Sequence, residues 1–120
     1  MSDPQSLPTI DAADALAGQA AGTLTLVDLR KSPARVASGE GITGAAWVDP
    51  FALGHAHALM SGAERIGLFC VHGHEVSQYG CALLRLHGRD AVYVRGGFEA
   101  LVAAGAPLEA ISDAAQGAGT

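Results

Sequence analysis

The chain has 120 residues, 49% hydrophobic and 16% charged, a composition that fills the core of one domain and excludes an intrinsically disordered chain. Seven basic residues against twelve acidic give a net charge of −5, and Lys31 is the sole lysine, so no basic stripe exists to neutralise nucleic-acid phosphates. The longest apolar runs, 12–21 and 100–106, fall short of the ~18 residues of a membrane span, and Met1-Ser2-Asp3-Pro4 lacks the charged-then-apolar order of a secretion signal, so a cytoplasmic protein with no membrane or nucleic-acid partner is expected.

Strand and helix patterns then alternate, the order of an α/β sheet with crossover helices. After an extended start at Leu7-Pro8-Thr9-Ile10, Asp11 is placed to N-cap a helix through Leu16 that Gly18 closes. Thr23 to Leu29 (TLTLVDL) is a β-branched strand, Pro33 to Ser38 a short helix, and Gly39 to Gly44 (GEGITG) a loop. Ala45 to Val48 reads as a short strand stopped by Pro50, and Phe51 to Met60 has room for about two helical turns before the Ser61-Gly62 turn. Arg65 to Val71 (RIGLFCV) is the most apolar run and, lacking alternation, is expected at the centre of the sheet. The loop His72-Gly73-His74 leads to a helix from Val76 to His87 with Gly88 at C′. Ala91 to Val94 is the last strand, and Gly96-Gly97 turns into a closing helix, Phe98 to Ala104. The expected single domain spans 1–120, with a core from about 7 to 104 and an Ala/Gly/Ser-rich tail, 106–120, whose end frays.

The chemically informative residue is Cys70, at the carboxyl end of the central strand and ahead of a glycine loop and a helix. Ligands of open α/β sheets bind at that edge. Loop amides and the positive helix end both favour a thiolate there and would cradle an oxyanion. Gly73 supplies the freedom for φ > 0 that a loop turning several N–H groups inward needs. By position alone Cys70 is equally a small buried hydrophobe.

Four segments in order weigh on that choice. Val27-Asp28-Leu29-Arg30, Gly39 to Ala45 (GEGITGA), Cys70-Val71-His72-Gly73 and Gly96-Gly97-Phe98-Glu99-Ala100-Leu101 resemble the Asp-x-Arg strand end, the Gly-His-Ile-Pro-Gly-Ala loop, the Cys-x-x-Gly active loop and the closing Gly-Gly-x-x-Ala-Trp of the single-domain rhodanese family. The resemblance covers roughly 7–104. It implies a five-stranded parallel sheet flanked by helices on both faces. It also implies that Cys70 takes sulfane sulfur from a donor such as thiosulfate, holds it as a persulfide and passes it to a thiophilic anion or a thiol, including a protein acceptor, with no cofactor and no metal. Val71, His72, Gly73, His74, Glu75, Val76 and Ser77 would form the active loop, supported by Asp28, Arg30, Arg35, Gly96 and Gly97.

Departures from the family pattern bear on activity. Glu75 and Val76 stand where the family carries Arg or Thr and then Ser, with Ser77 one position later, which implies a loop one residue longer. In the related cell-cycle phosphatases and arsenate reductases a longer loop ends in an arginine that grips the oxyanion. Val76 holds that place here, and Glu75 would repel a dianion. Thr43 replaces the loop proline, Glu40 or Gly41 its histidine, Leu101 the tryptophan, and Arg35 falls near a glutamate that pairs with the Asp-x-Arg arginine; a weakened activity is expected. Cys70 to Gln78 with Trp47-Val48-Asp49-Pro50 is similar to a branch found with bacterial chromate-resistance proteins.

Asp28, on the same edge as Cys70, reads as bordering the site or, preferably, as structural and locking the loop through hydrogen bonds, and Arg30, Arg35 and Arg95 as either anion-recruiting or ion-paired residues. Cys81, among Ala82, Leu83 and Leu84, reads as a core residue, with a resolving thiol as the alternative. His72 and His74 read as substrate contacts or solvent-exposed. Two other functions stay open: a non-catalytic binding or sensor module, and a metal or oxyanion site using Cys70, His72 and His74, with His55 and His57 as a second His-x-His pair.

Overall fold

Alternating strands and helices resolve, in a computed structural model, into a sheet of five parallel strands in the order β1-β6-β5-β2-β4. The structure describes residues 7–56, 65–72 and 75–111. The strands are β1 (Thr9–Ile10), β2 (Leu24–Asp28), β4 (Ala46–Trp47), β5 (Arg65–Phe69) and β6 (Ala91–Val94). β5 pairs with β2 on one side and β6 on the other, and all of it but Arg65 is buried, so the run without alternation is the central strand. No helix among the described residues is long and apolar enough to cross a membrane.

The two-residue period of the strands separates two cores. Leu24, Leu26, Phe69, Val92 and Val94 face one side, where helices α1 (Ala12–Ala21) and α5 (Gly97–Ala103) contribute Ala12, Ala15 and Leu101. Val27, Ile66, Leu68 and Ala91 face the other, where α3 (Leu53–Ala56) and α4 (Glu75–Leu86) bring Leu53, Cys81 and Leu84. Each fully buried leucine contributes about 1.5–3 kcal/mol by leaving water. Helices therefore cover both faces, and the carboxyl ends of β2 and β5 lie side by side, Asp28 opposite Phe69.

Several expected boundaries move. α1 runs past Gly18 and closes at Gly22, which takes the left-handed conformation at φ 77°. Asp11 holds the N-cap position without capping through its side chain, which pairs with Arg95 instead. α2 spans Ser32–Ser38, one residue longer than expected. Pro50–Ala52 is a 3-10 turn leading into α3, and the expected continuation to Met60 and the Ser61-Gly62 turn lie outside the described residues. The stretch expected as a loop contains β3 (Glu40–Ile42), which pairs antiparallel with β7 (Leu108–Ala110) in a second, two-stranded sheet. The folded part thus reaches beyond 104 into the segment expected as tail; 112–120 lie outside the described residues.

Candidate active site

Backbone hydrogen bonds from two directions fix Cys70. The Phe69 carbonyl just before it accepts from Leu29 N at 2.8 Å, which ties the end of β5 to the end of β2. The Cys70 carbonyl accepts from Phe98 N at 2.7 Å and that of Val71 from Glu99 N at 3.5 Å, both in the first turn of α5. That approach needs the glycine pair: Gly96 and Gly97 have φ of 81° and 63°, and a Cβ on Gly96 would stand 2.7 Å from that of Ala100.

The Cys70 thiol points instead toward α4, where it donates to the fully buried Ser77 hydroxyl at 3.4 Å. The N-terminus of α4, a 12-residue helix, begins at Glu75, one position earlier than expected, so its positive dipole end stands at the loop. Over the cysteine opens a pocket of about 420 Å³, lined by Cys70, Val71, His72 and Val76 and, from the end of β2, by Leu29, Arg30 and Lys31. That is the size of a small-molecule site. Gly73 and His74 lie outside the described residues.

The supporting residues form a buried ionic cluster. Arg30 is 1% exposed and Asp28 3%. The Asp28 carboxylate accepts from Arg30 N at 2.9 Å, from its Nε at 3.0 and 3.1 Å and from its Nη2 at 2.8 Å, and Nη2 donates again to the Glu40 carbonyl at 2.8 Å. The guanidinium stacks over Phe98, 4.0 Å from the ring centre, and the Arg30 carbonyl accepts from Trp47 Nε1 at 2.8 Å. Arg35 approaches the same carboxylate at 3.8 Å and lies over Trp47. Asp28 thus pairs with Arg30 at the end of its own strand and lies within ion-pair distance of Arg35. Two guanidiniums share one carboxylate, and among the described residues the buried Arg30 Nη1 and Arg35 Nε have no hydrogen-bond partner. The cluster carries excess positive charge behind the pocket wall. Arg95 is held by Asp11 and Thr9 at β1.

Two neighbours of the site were not foreseen. Glu99 Oε2 lies 2.5 Å from His72 Nδ1, an exposed pair bridging the loop to α5, and no spacing in the sequence signals it. Lys31 lines the pocket, and its place directly after the strand-end Asp-x-Arg was the available clue.

Cys81 is fully buried, 3.4 Å from the Ala91 carbonyl, inside the α4 core. Burial pushes its thiol from 9.0 up to about 11, against a smaller opposing effect of Arg85. Cys70 and Cys81 form no disulfide among the described residues. Among the described residues no three His, Cys, Asp or Glu side chains cluster as metal ligands, and His57 lies outside them.

No protein-family model and no curated protein matches the chain. Solved structures do. A thiosulfate sulfurtransferase from Pseudomonas aeruginosa is 29% identical with a TM-score of 0.74, over 88% of this chain and 20% of that one, so this chain spans a fifth of its length. A rhodanese-like domain protein from Staphylococcus aureus is 23% identical with a TM-score of 0.70, over 88% of this chain and all of the other (100%). A protein of unknown function from Rhodopseudomonas palustris, described as a possible tyrosine phosphatase, is 22% identical with a TM-score of 0.71, over 86% and 85% of the two chains. With its strand order, its helices on both faces and the cysteine loop at the carboxyl edge of the central strand, this chain has the rhodanese-like fold.

Proposed function

We propose that the protein is a sulfurtransferase or persulfide carrier that works through Cys70. The observation that carries this reading is the position of the Cys70 sulfur: in a pocket at the strand's carboxyl edge, 3.4 Å from the Ser77 hydroxyl, with Arg30 and Lys31 in the same wall. The thiolate attacks the outer sulfur of a donor such as thiosulfate, a new S–S bond forms, the old one breaks, and sulfite leaves with the bonding pair. The persulfide keeps the negative charge at its terminal sulfur. Ser77, the α4 N-terminus and the nearby cations stabilise that charge with no general base. A thiophilic anion or a thiol, free or on a protein, then takes the terminal sulfur and returns the thiolate.

Phosphate- or arsenate-ester chemistry is disfavoured, because Val76 lines the pocket where a gripping guanidinium would be needed and Arg30 is committed to Asp28. Two cysteines without a disulfide among the described residues suit a reducing compartment such as the cytoplasm.

Intact mass after thiosulfate exposure tests the proposal. The expected result is one added sulfur on Cys70, released as thiocyanate by cyanide and absent in Cys70→Ser. No added sulfur, or sulfur carried on Cys81, overturns it; an unloaded but folded chain would be a binding module.

A further inference from the structure

A second groove, of about 360 Å³, is lined by Lys31, Pro50, Phe51, Val76 and Tyr79. Lys31 and Val76 also line the cysteine pocket, so the two spaces share a wall. Except for Lys31, the groove is apolar or aromatic. Phe51 is 85% exposed and Tyr79 55%. The Phe51 N–H donates to Asp49 at 2.9 Å, which caps the turn and fixes the backbone that displays the ring. Exposed aromatic surface that is held in place beside a reactive thiol marks a binding surface for apolar matter. Lys31, the one charge on the shared wall, supplies attraction for an anion at the junction of the two spaces.

Resting on the sulfur-transfer reading, we propose that this groove seats the organic group of the sulfur donor, and that the preferred donor is an organic thiosulfonate, R–SO2–S⁻ with an apolar R, over inorganic thiosulfate. Cavities on the order of 150 Å³ already hold a benzene ring, so the groove takes an aryl group with room to spare. In this arrangement R lies against Phe51, Tyr79 and Pro50, Lys31 meets the sulfonyl oxygens, and the terminal sulfur reaches Cys70. The Cys70 thiolate attacks that sulfur, the bond between it and the sulfonyl sulfur breaks, and the sulfinate R–SO2⁻ departs with the electron pair. Two negative charges enter and two leave.

The test follows Cys70 persulfide formation by intact mass with three donors: benzenethiosulfonate, methanethiosulfonate and thiosulfate. The methyl and aryl compounds share the reacting group and differ in R, so their rate ratio, corrected for the uncatalysed ratio toward a small free thiol, reads the groove. A corrected preference of about tenfold or more for the aryl donor is expected, the worth of burying part of a ring. Phe51→Ser/Tyr79→Ser should bring the ratio close to one, with folding checked by thermal melting because both side chains are on the surface. Equal corrected rates for the two donors in the parent, or a ratio unchanged in the double variant, overturn the proposal and leave the groove to a partner protein or a second copy of the chain. Failure of all three donors to load Cys70 overturns the sulfur-transfer reading as well, so the two failures are told apart.

Discussion

Replacing Asp28 by Asn keeps the shape at the end of β2 and removes the charge that Arg30 is built around. Asparagine offers one oxygen, and its NH2 group would face a guanidinium that is also a donor. Arg30 is 1% exposed, so the variant buries a guanidinium cation without its counterion. Removing one partner of a buried pair costs about 3–5 kcal/mol. The Glu40 carbonyl at 2.8 Å and the Phe98 ring at 4.0 Å still hold the guanidinium, which places the expected loss near the lower end, about 3 kcal/mol. Against a total stability of about 5–15 kcal/mol this is a large fraction, and it should lower Tm by roughly 10 °C or more. Urea unfolding followed by circular dichroism measures it, with an unchanged m-value confirming that the unfolded state is the same. Asp28→Asn/Arg30→Met should recover much of the loss, because the second change removes the orphaned charge and keeps an apolar stem against Phe98. A loss below about 1 kcal/mol in the single variant, the scale of a solvent-screened surface pair, would refute this reasoning.

Cys81 should resist iodoacetamide in the native protein at pH 8 while Cys70 is labelled, because Cys81 is fully buried and its thiol is pushed up to about 11; peptide mapping that finds the two labelled equally fast contradicts this. Since the folded thiol holds its proton while the unfolded one releases it from 9.0 upward, stability should fall as pH rises from about 9 to 11, and Cys81→Ala should show a shallower fall over that range. Ser77→Ala should slow Cys70 persulfide formation by about tenfold or more, the worth of a hydrogen bond to a charged sulfur, and an unchanged rate removes Ser77 from the site. Gly80→Ala should destabilise the fold by about 1–2 kcal/mol in denaturant melts, because strain of about 1–3 kcal/mol outweighs the helix preference of alanine of up to about 1 kcal/mol. The strain arises from the new Cβ, 2.5 Å from Leu29 Cδ1 and 3.1 Å from Leu53 Cδ2; a stabilised variant would mean that Leu29, a wall of the cysteine pocket, yields freely.

Central features of the fold were legible because local pattern and burial agree there. Arg65 to Phe69 is apolar on both faces and sits between two strands, and Gly88 closes α4 at φ 79°. The α1 boundary was misread at Gly18. This glycine serves close packing, since a Cβ there would come within 3.0 Å of Leu24 Cβ, and Gly22 terminates the helix. The β3–β7 pair was invisible because Glu40-Gly41-Ile42 lies in a glycine-rich stretch and its partner in an Ala/Gly-rich one. Only their pairing across the chain makes either a strand. At the site, Cys70 could be placed from its strand and loop. The commitment of Arg30 to Asp28 could not, because charged side chains are read as solvent-facing unless a partner is seen, and here the partner is two residues back along the same strand end.

The parallel sheet also imposes an order on synthesis at the ribosome. β5, the partner of β2, and then β6 follow it along the chain, but β1 pairs with β6, Thr9 opposite Tyr93, and the Asp11–Arg95 contact beside it spans 84 residues. At about 5–20 residues per second, β1 waits roughly 4–17 s in an unfinished chain before its partner exists. A long apolar strand held open for that time would invite pairing between nascent chains. With only two residues, β1 offers little edge to capture, and its partner is made after the strands that lead to Asp28 and Cys70.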